Sequence, residues 1–325
     1  FKNQFGKCML FANNPDFAWN ILDCYLLKGT NKLLTEQKNT SPKIALFIGA
    51  GIWGLLWYPY RLLEQADING PASATITYLI ALLLGLVVFR KSLSASHLSN
   101  GNPYLLFWIG LLVGCACMAY ILGVIHGEVM RVLLLFYLAP LWTIIFSRFL
   151  LQEKLSLYGY SVIFISLSGA ATMLWQPGNN FPLPSSYGDW MGLAGGFAFA
   201  LSNVLIRKNQ DHSVQLKSLA VWLGVVVVGL SYSLFLPMPH PLTEISLNSW
   251  LLLLGTGLAV FVLSLVLQYG LTHVPANQAI VLLLSELVVA AVAAYLLTSE
   301  SMTLREWVGG AMIVSASLFS SRMNR

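Results

Sequence analysis

VMRVLLLFYLAPLWTIIFSRFLLQE, residues 129–153, is the stretch on which the reading of this chain turns. Sixteen residues without a charge separate Arg131 from Arg148, and the apolar run continues to Leu151. That is enough helix to cross the roughly 30 Å of hydrocarbon in a bilayer. The same order of features, a polar start, an apolar run and a terminal glutamate, returns in altered form over residues 276–300. Shifting the chain by 147 positions lays Glu153 on Glu300, Gly110 on Gly257, Gly123 on Gly270 and His126 on His273. One register held across three apolar segments predicts an internal duplication.

Working outward, 57% of the 325 residues are hydrophobic and only 10% are charged, which lies outside the range of soluble globular proteins. About twenty apolar residues are needed per spanning helix. Windows of that kind fall at 44–62, 71–89, 104–125, 129–148, 157–175, 187–206, 216–236, 249–271, 277–297 and 304–320. Runs such as LLLLGTGLAVFVLSLVL lack the two-residue alternation of a barrel strand. The expected class is therefore an all-α membrane protein with ten transmembrane helices.

Charge placement orients it. With the end before the first span inside, cytoplasmic segments hold Lys43, Arg90, Lys91, Arg148, Lys154, Arg207, Lys208, Lys217, Arg322 and Arg325, while the opposite side holds Arg61, Arg131 and Arg305. Ten against three predicts that both termini are cytoplasmic, and the expected location is a bacterial inner membrane, as a multi-pass protein. The net charge of +5 is then explained by topology and needs no nucleic acid partner. Cys115 and Cys117 lie in one apolar helix, and neither they nor Cys8 and Cys24 have metal-finger spacing, so no metal site and no disulfide framework are expected.

Residues 1–42 are polar and contain no spanning run; they are read as a cytoplasmic tail. The segment 177–186, rich in Pro, Asn and Ser, is the expected linker between a first repeat, 43–176, and a second, 187–322. Five spans precede it and five follow. An odd number of spans per copy forces the second copy to enter from the opposite face, so the two five-helix repeats should be inverted. An offset of 146 pairs the first and sixth helices, placing Gly49 on Gly195, Trp53 on Phe199 and Arg61 on Arg207.

The polar groups embedded in these spans are candidates for binding a solute. Glu286 stands ten positions into an apolar helix, where an ionised carboxylate costs roughly 2.5–3.5 kcal/mol and should face a cavity, a partner or a proton. It is read either as the site of a substrate cation or coupling proton, or as a structural glutamate held by hydrogen bonds. Arg131 offers a planar fork suited to a carboxylate, or else snorkels to headgroups or pairs with Glu128. Asn203, Gln268 and Gln278 are amides that need partners when buried. Trp53, Trp57, Tyr137 and Trp142 line a pocket or pack as ordinary aromatics. His126 and His273, like Glu153 and Glu300, are matched by the repeat and read as structural groups, the glutamates as solvated loop residues or helix caps.

The paired segments YLAPLWTIIFSRFLLQEKLSLYGY and LLLSELVVAAVAAYLLTSESMTLREWVGGA resemble the ten-helix EamA-type exporters of the drug/metabolite transporter superfamily. Pro140 with Glu153 and Glu286 with Glu300 carry the likeness, and Leu287 departs from it where the family often has proline. The resemblance spans 43–322 and implies a carrier with a central cavity lined by the first, third, fourth, sixth, eighth and ninth helices, the same helices that hold most of the embedded polar groups. It also implies alternating access without a cofactor.

No phosphate-binding loop, HExxH or GxSxG motif is found, so an enzyme is not expected. The expected function is export of a small metabolite, an amino acid or related polar or amphipathic compound, with proton coupling as one energy source. Alternatives are an uncoupled facilitator or importer, and a non-transporting scaffold or sensor. The expected partners are the solute, protons and membrane lipids.

Overall fold

The structure, a computed structural model, describes residues 40–90, 101–127, 129–174, 184, 186–235, 245–297, 303–320 and 323. The helical bundle is the unit Lys43–Arg325. Every regular element among the described residues is helical. In order these are α1 (residues 40–53), α2 (Trp57–Gln65), α3 (Gly70–Val88), α4 (Pro103–His126), α5 (Val129–Phe136), α6 (Ala139–Phe146), α7 (Leu157–Leu174), α8 (Tyr187–Lys208), α9 (Val214–Phe235), α10 (Leu247–His273), α11 (Ala276–Leu283), α12 (Ser285–Leu297) and α13 (Leu304–Phe319).

Among the described residues, seven helical stretches are long and apolar enough to cross a membrane: α3, α4, α5 with α6, α8, α9, α10, and α11 with α12. Of the other three windows expected to span, 157–175 and 304–320 form shorter apolar helices, and 44–62 is split into α1 and α2. Large apolar side chains such as Val87, Phe164, Leu247 and Leu296 stand on the outside of this bundle, as in any protein whose solvent is lipid.

Starts and stops follow from local chemistry. Asn69 and Asn102 cap α3 and α4 with their side chains, and each of those helices carries proline in its first turn, where a missing N–H costs nothing. Ser186 and Asp189 form a capping box at the start of α8, with each side chain accepting from the other residue's backbone N–H.

Three of the expected spans are interrupted. Between α1 and α2 the backbone tightens into three-residue bonds, with Leu55 N donating to Ile52 O and Leu56 N to Trp53 O, just ahead of Pro59, which has no N–H to continue the ladder. Between α5 and α6 the chain turns at Tyr137 and Leu138, where Pro140 leaves the Phe136 carbonyl without its helical donor. Between α11 and α12 it turns at Leu284, where Ser285 Oγ donates back to Leu282 O at 2.6 Å.

The two halves exchange partners reciprocally. Gly110 of α4 meets the backbone of α9 at Ala220, and its repeat equivalent Gly257 of α10 meets α3 at Ile80. Gly123 of α4 lies against Gly188 and Gly192 of α8, and its equivalent Gly270 of α10 lies against Leu46 of α1. The fifth and tenth expected spans, α7 and α13, pack on each other. Such pairing is what a two-fold relation between copies produces, and small residues at the crossings let backbones approach where no hydrophobic drive exists.

One of the ten basic residues counted toward the cytoplasmic side is buried. Lys217 is fully buried at the start of α9, and its Nζ donates to Asn209 O at 2.7 Å and Thr272 Oγ1 at 2.8 Å. It satisfies a carbonyl at the C-terminal end of α8, where a cation is favoured by the helix dipole.

Candidate functional site

The three interruptions converge. Tyr137, at the turn between α5 and α6, donates its hydroxyl to Glu286 Oε1 in the first turn of α12, across 149 positions of sequence. Gly54, at the turn between α1 and α2, lies against the same residue: a Cβ there would come 2.5 Å from Glu286 O and 3.3 Å from Ala290 N. Only glycine admits that approach, because any side chain would meet backbone rather than a movable group. First, fourth and ninth expected spans are thus pinned to one another at their breaks.

Breaking a helix at membrane depth frees backbone groups and is tolerated where protein or a water-filled space receives them. It also presents helix ends. Ala139 and Ser285 open half-helices at this level, and their N-termini favour negative charge, which suits the Glu286 carboxylate in the first turn of α12. Glu286 and Tyr137 both keep part of their surface accessible. A carboxylate that is hydrogen-bonded on one oxygen and still accessible is able to accept a cationic group or a proton on the other.

An aromatic wall adjoins the acid. Tyr120 of α4 packs edge-on to Phe136 at 5.3 Å, Phe136 meets Tyr137 at 5.6 Å and Phe199 of α8 at 5.5 Å. Tyr120 and Tyr137 thus pack edge-on against the same ring, and Tyr137 carries the contact to Glu286. Tyr120, Gly54 and Phe199 complete the neighbourhood. None was singled out as lining a site in the sequence, although a tyrosine in an apolar span was a signal for the first of them.

Trp53 sits one residue before the α1–α2 turn and packs on the main core. Trp57 opens α2, with its ring edge-on to Tyr58 at 5.7 Å, the Arg61 guanidinium carbon 6.0 Å from its ring centroid, and a buried indole N–H that no acceptor meets among the described residues. Trp142 of α6 packs edge-on to Phe197 of α8 at 5.2 Å, and its indole N–H is likewise buried without an acceptor among the described residues.

Asn203 of α8 and Gln268 of α10 are both buried, with Asn203 Nδ2 and Gln268 Oε1 unpartnered among the described residues. Arg207 and Thr272, one turn further along the same two helices, are joined by a bond from Arg207 Nη1 to Thr272 O at 2.6 Å, which places the two amides at similar depth. Gln278 is elsewhere: its Nε2 reaches Ser320 Oγ at 3.5 Å beside the end of α13, about 12 Å along the helix from Glu286 at 1.5 Å per residue. The side chain of Arg131 and residues Glu128 and Glu300 lie outside the described residues.

The matched histidines make matched bonds. His126 Nδ1 lies 3.0 Å from Leu122 O and His273 Nδ1 lies 2.8 Å from Tyr269 O, each on the carbonyl one turn back. Glu153 accepts from the Ala276 backbone N–H at 3.2 Å and so caps α11 from the other half of the chain.

A family model described as the EamA-like transporter family matches residues 41–175 and again 186–322. The chain is similar to an uncharacterized transporter of Archaeoglobus fulgidus, 28% identical over 205 residues, 63% of this chain and 71% of that one. It is also similar to the uncharacterized transporter YojE of Bacillus subtilis, 23% identical over 233 residues, covering 70% and 75% of the two chains. A crystal structure matches with a TM-score of 0.69 at 17% identity, covering 86% of this chain and 97% of the other, a likeness of fold.

Proposed function

Because the chain belongs to the EamA-like transporter family, we propose that it carries a small amine-bearing metabolite, an amino acid or a related amphipathic compound, out across a bacterial inner membrane by alternating access. In this reading ten spans form two inverted five-helix repeats with both termini in the cytoplasm. The reciprocal partners of Gly110 and Gly257 and the excess of basic residues on one face support that arrangement.

The observation that carries the proposal is the meeting of three broken helices at Glu286. An acid held at depth by a tyrosine hydroxyl and left partly accessible is suited to a substrate ammonium group or a coupling proton. The neighbouring aromatic faces suit a cation or an apolar side chain. Arg131 is the proposed partner for a substrate carboxylate.

Ligand binding tests this even while the solute is unidentified. A ligand that binds the folded state raises its melting temperature. A screen of amino acids and biogenic amines against the purified protein should find compounds that stabilise it, and Glu286→Gln should remove that stabilisation. Equal stabilisation of the Gln variant by the same amines would overturn the role of Glu286.

A further inference from the structure

The fourth and ninth expected spans are repeat equivalents, and the shift of 147 carries α6 onto residues 286–293 of α12 and α11 onto α5. A symmetric carrier would join both pairs alike. It does not: α6 packs against α11, whereas among the described residues the equivalent pair, α5 and α12, has no packing of that extent.

Side chains account for the closed end. Asn277 Nδ2 donates to Ser147 Oγ at 2.8 Å and to Glu153 Oε2 at 3.2 Å, and Ala276 N donates to Glu153 Oε1 at 3.2 Å. Ser147 and Asn277 are fully buried. Glu153 reaches this position because α6 ends in a wide turn, Ser147–Leu151, closed by Gln152 at φ 57°, a left-handed conformation unusual outside glycine. The carboxylate then lies at the N-terminus of α11, where the helix dipole adds to the hydrogen bonds.

At the other end the repeat keeps the acid as Glu300, which lies outside the described residues, but not the two side chains that bond to each other. Under the same shift Ser147 falls on Ala294 and Asn277 falls on Met130, neither of which has a side chain able to make these bonds.

We propose that Ser147, Glu153 and Asn277 form a latch that seals the carrier at the end bearing Arg148 and Lys154, and that Ala294 and Met130, in place of Ser147 and Asn277, make the opposite end the weaker gate. The resting carrier therefore opens away from its basic face. Opening the basic end means giving up the two bonds of Asn277, to Ser147 and to the Glu153 carboxylate, which Met130 and Ala294 cannot make at the other end. Substrate binding at Glu286, on the same two spans, has to supply the difference before the basic end opens. The inference rests on the carrier reading above, and goes beyond it in assigning the sealed face and the residues that seal it.

Accessibility tests it apart from transport. In a background lacking the four native cysteines, Tyr120→Cys reports on the space beside Glu286, and a membrane-impermeant maleimide is applied to vesicles from either face. The parent should label from the face opposite Arg148 and Lys154. The pair Ser147→Ala with Asn277→Met, which copies the other end of the repeat, should raise labelling from the basic face about tenfold or more, as losing at least one hydrogen bond of bias would give. Labelling of the parent from the basic face, or an unchanged pattern in a variant that elutes and melts as the parent does, would overturn the latch. If the pair fails to fold, Ser147→Ala alone must move labelling in the same direction, and no movement counts against it. Absence of solute flux with the labelling shift intact would count against the carrier reading and leave the latch standing.

Discussion

Tyr137→Phe removes one hydroxyl and nothing else, and its cost should fall on Glu286. A hydrogen bond to a charged group contributes about 1.5–3 kcal/mol, so solute affinity or flux should change by roughly ten- to a hundredfold with little change in melting temperature. Unchanged flux with lowered stability would make the bond a packing feature. Gly54→Ala acts differently, since its new methyl group meets the Glu286 backbone, and overpacking of this kind costs about 1–3 kcal/mol. Lower stability together with lower affinity is expected, read by thermal unfolding with and without ligand. Glu286 was legible in the sequence because an acid amid apolar residues costs free energy that something must return. Its partner was named as an aromatic candidate, but a contact across 149 positions is set by how helices cross, which no local pattern encodes. Gly54 was less visible still, because its importance lies in the absence of a side chain beside one particular carbonyl.

At the scale of elements, the interruption at Pro140 could be anticipated from a missing N–H, and the one at Leu284 could not. With leucine at 287 the ninth span reads as continuous. The turn forms where Ser285 Oγ competes for the Leu282 carbonyl and where α1 brings Gly54 against the Glu286 carbonyl. The end of α8 shows the same limit of a charge count. Lys217 was one of ten basic residues pointing to the cytoplasmic face, yet its ammonium is buried among Asn209 O, Thr272 Oγ1 and, at 3.5 Å, Ile206 O. It ties α8, α9 and α10 together. Lys217→Met keeps most of the volume and strands those acceptors, so a loss of about 1–3 kcal/mol is expected in denaturant or thermal unfolding. A variant as stable as the parent would mean that water replaces the ammonium at no cost.

For the whole molecule, apolar windows and a single register of 147 were enough to anticipate an all-helical membrane protein with an internal repeat. Which helix of one half packs on which of the other was not legible, since glycines at 110, 123, 257 and 270 mark close crossings without naming the partner. Inversion of the halves makes a direct prediction. Ala66 and His212 are equivalent under the offset of 146, and lie in the turns after α2 and α8. A cysteine replacing Ala66 and one replacing Asp211, the exposed neighbour of buried His212, should react with an impermeant thiol reagent from opposite faces of the membrane. Reaction from one face would make the repeats parallel. The account as a whole is decided by solute movement: purified protein in proteoliposomes, loaded with the amine-bearing compound that stabilises it most, should release or exchange that compound with saturable kinetics, and Glu286→Gln should reduce the rate at least about tenfold, as loss of one charge-assisted contact implies. Flux that matches protein-free liposomes would leave a membrane scaffold in place of a carrier, and full flux through the Gln variant would remove the acid at the crossing of the broken helices from the mechanism.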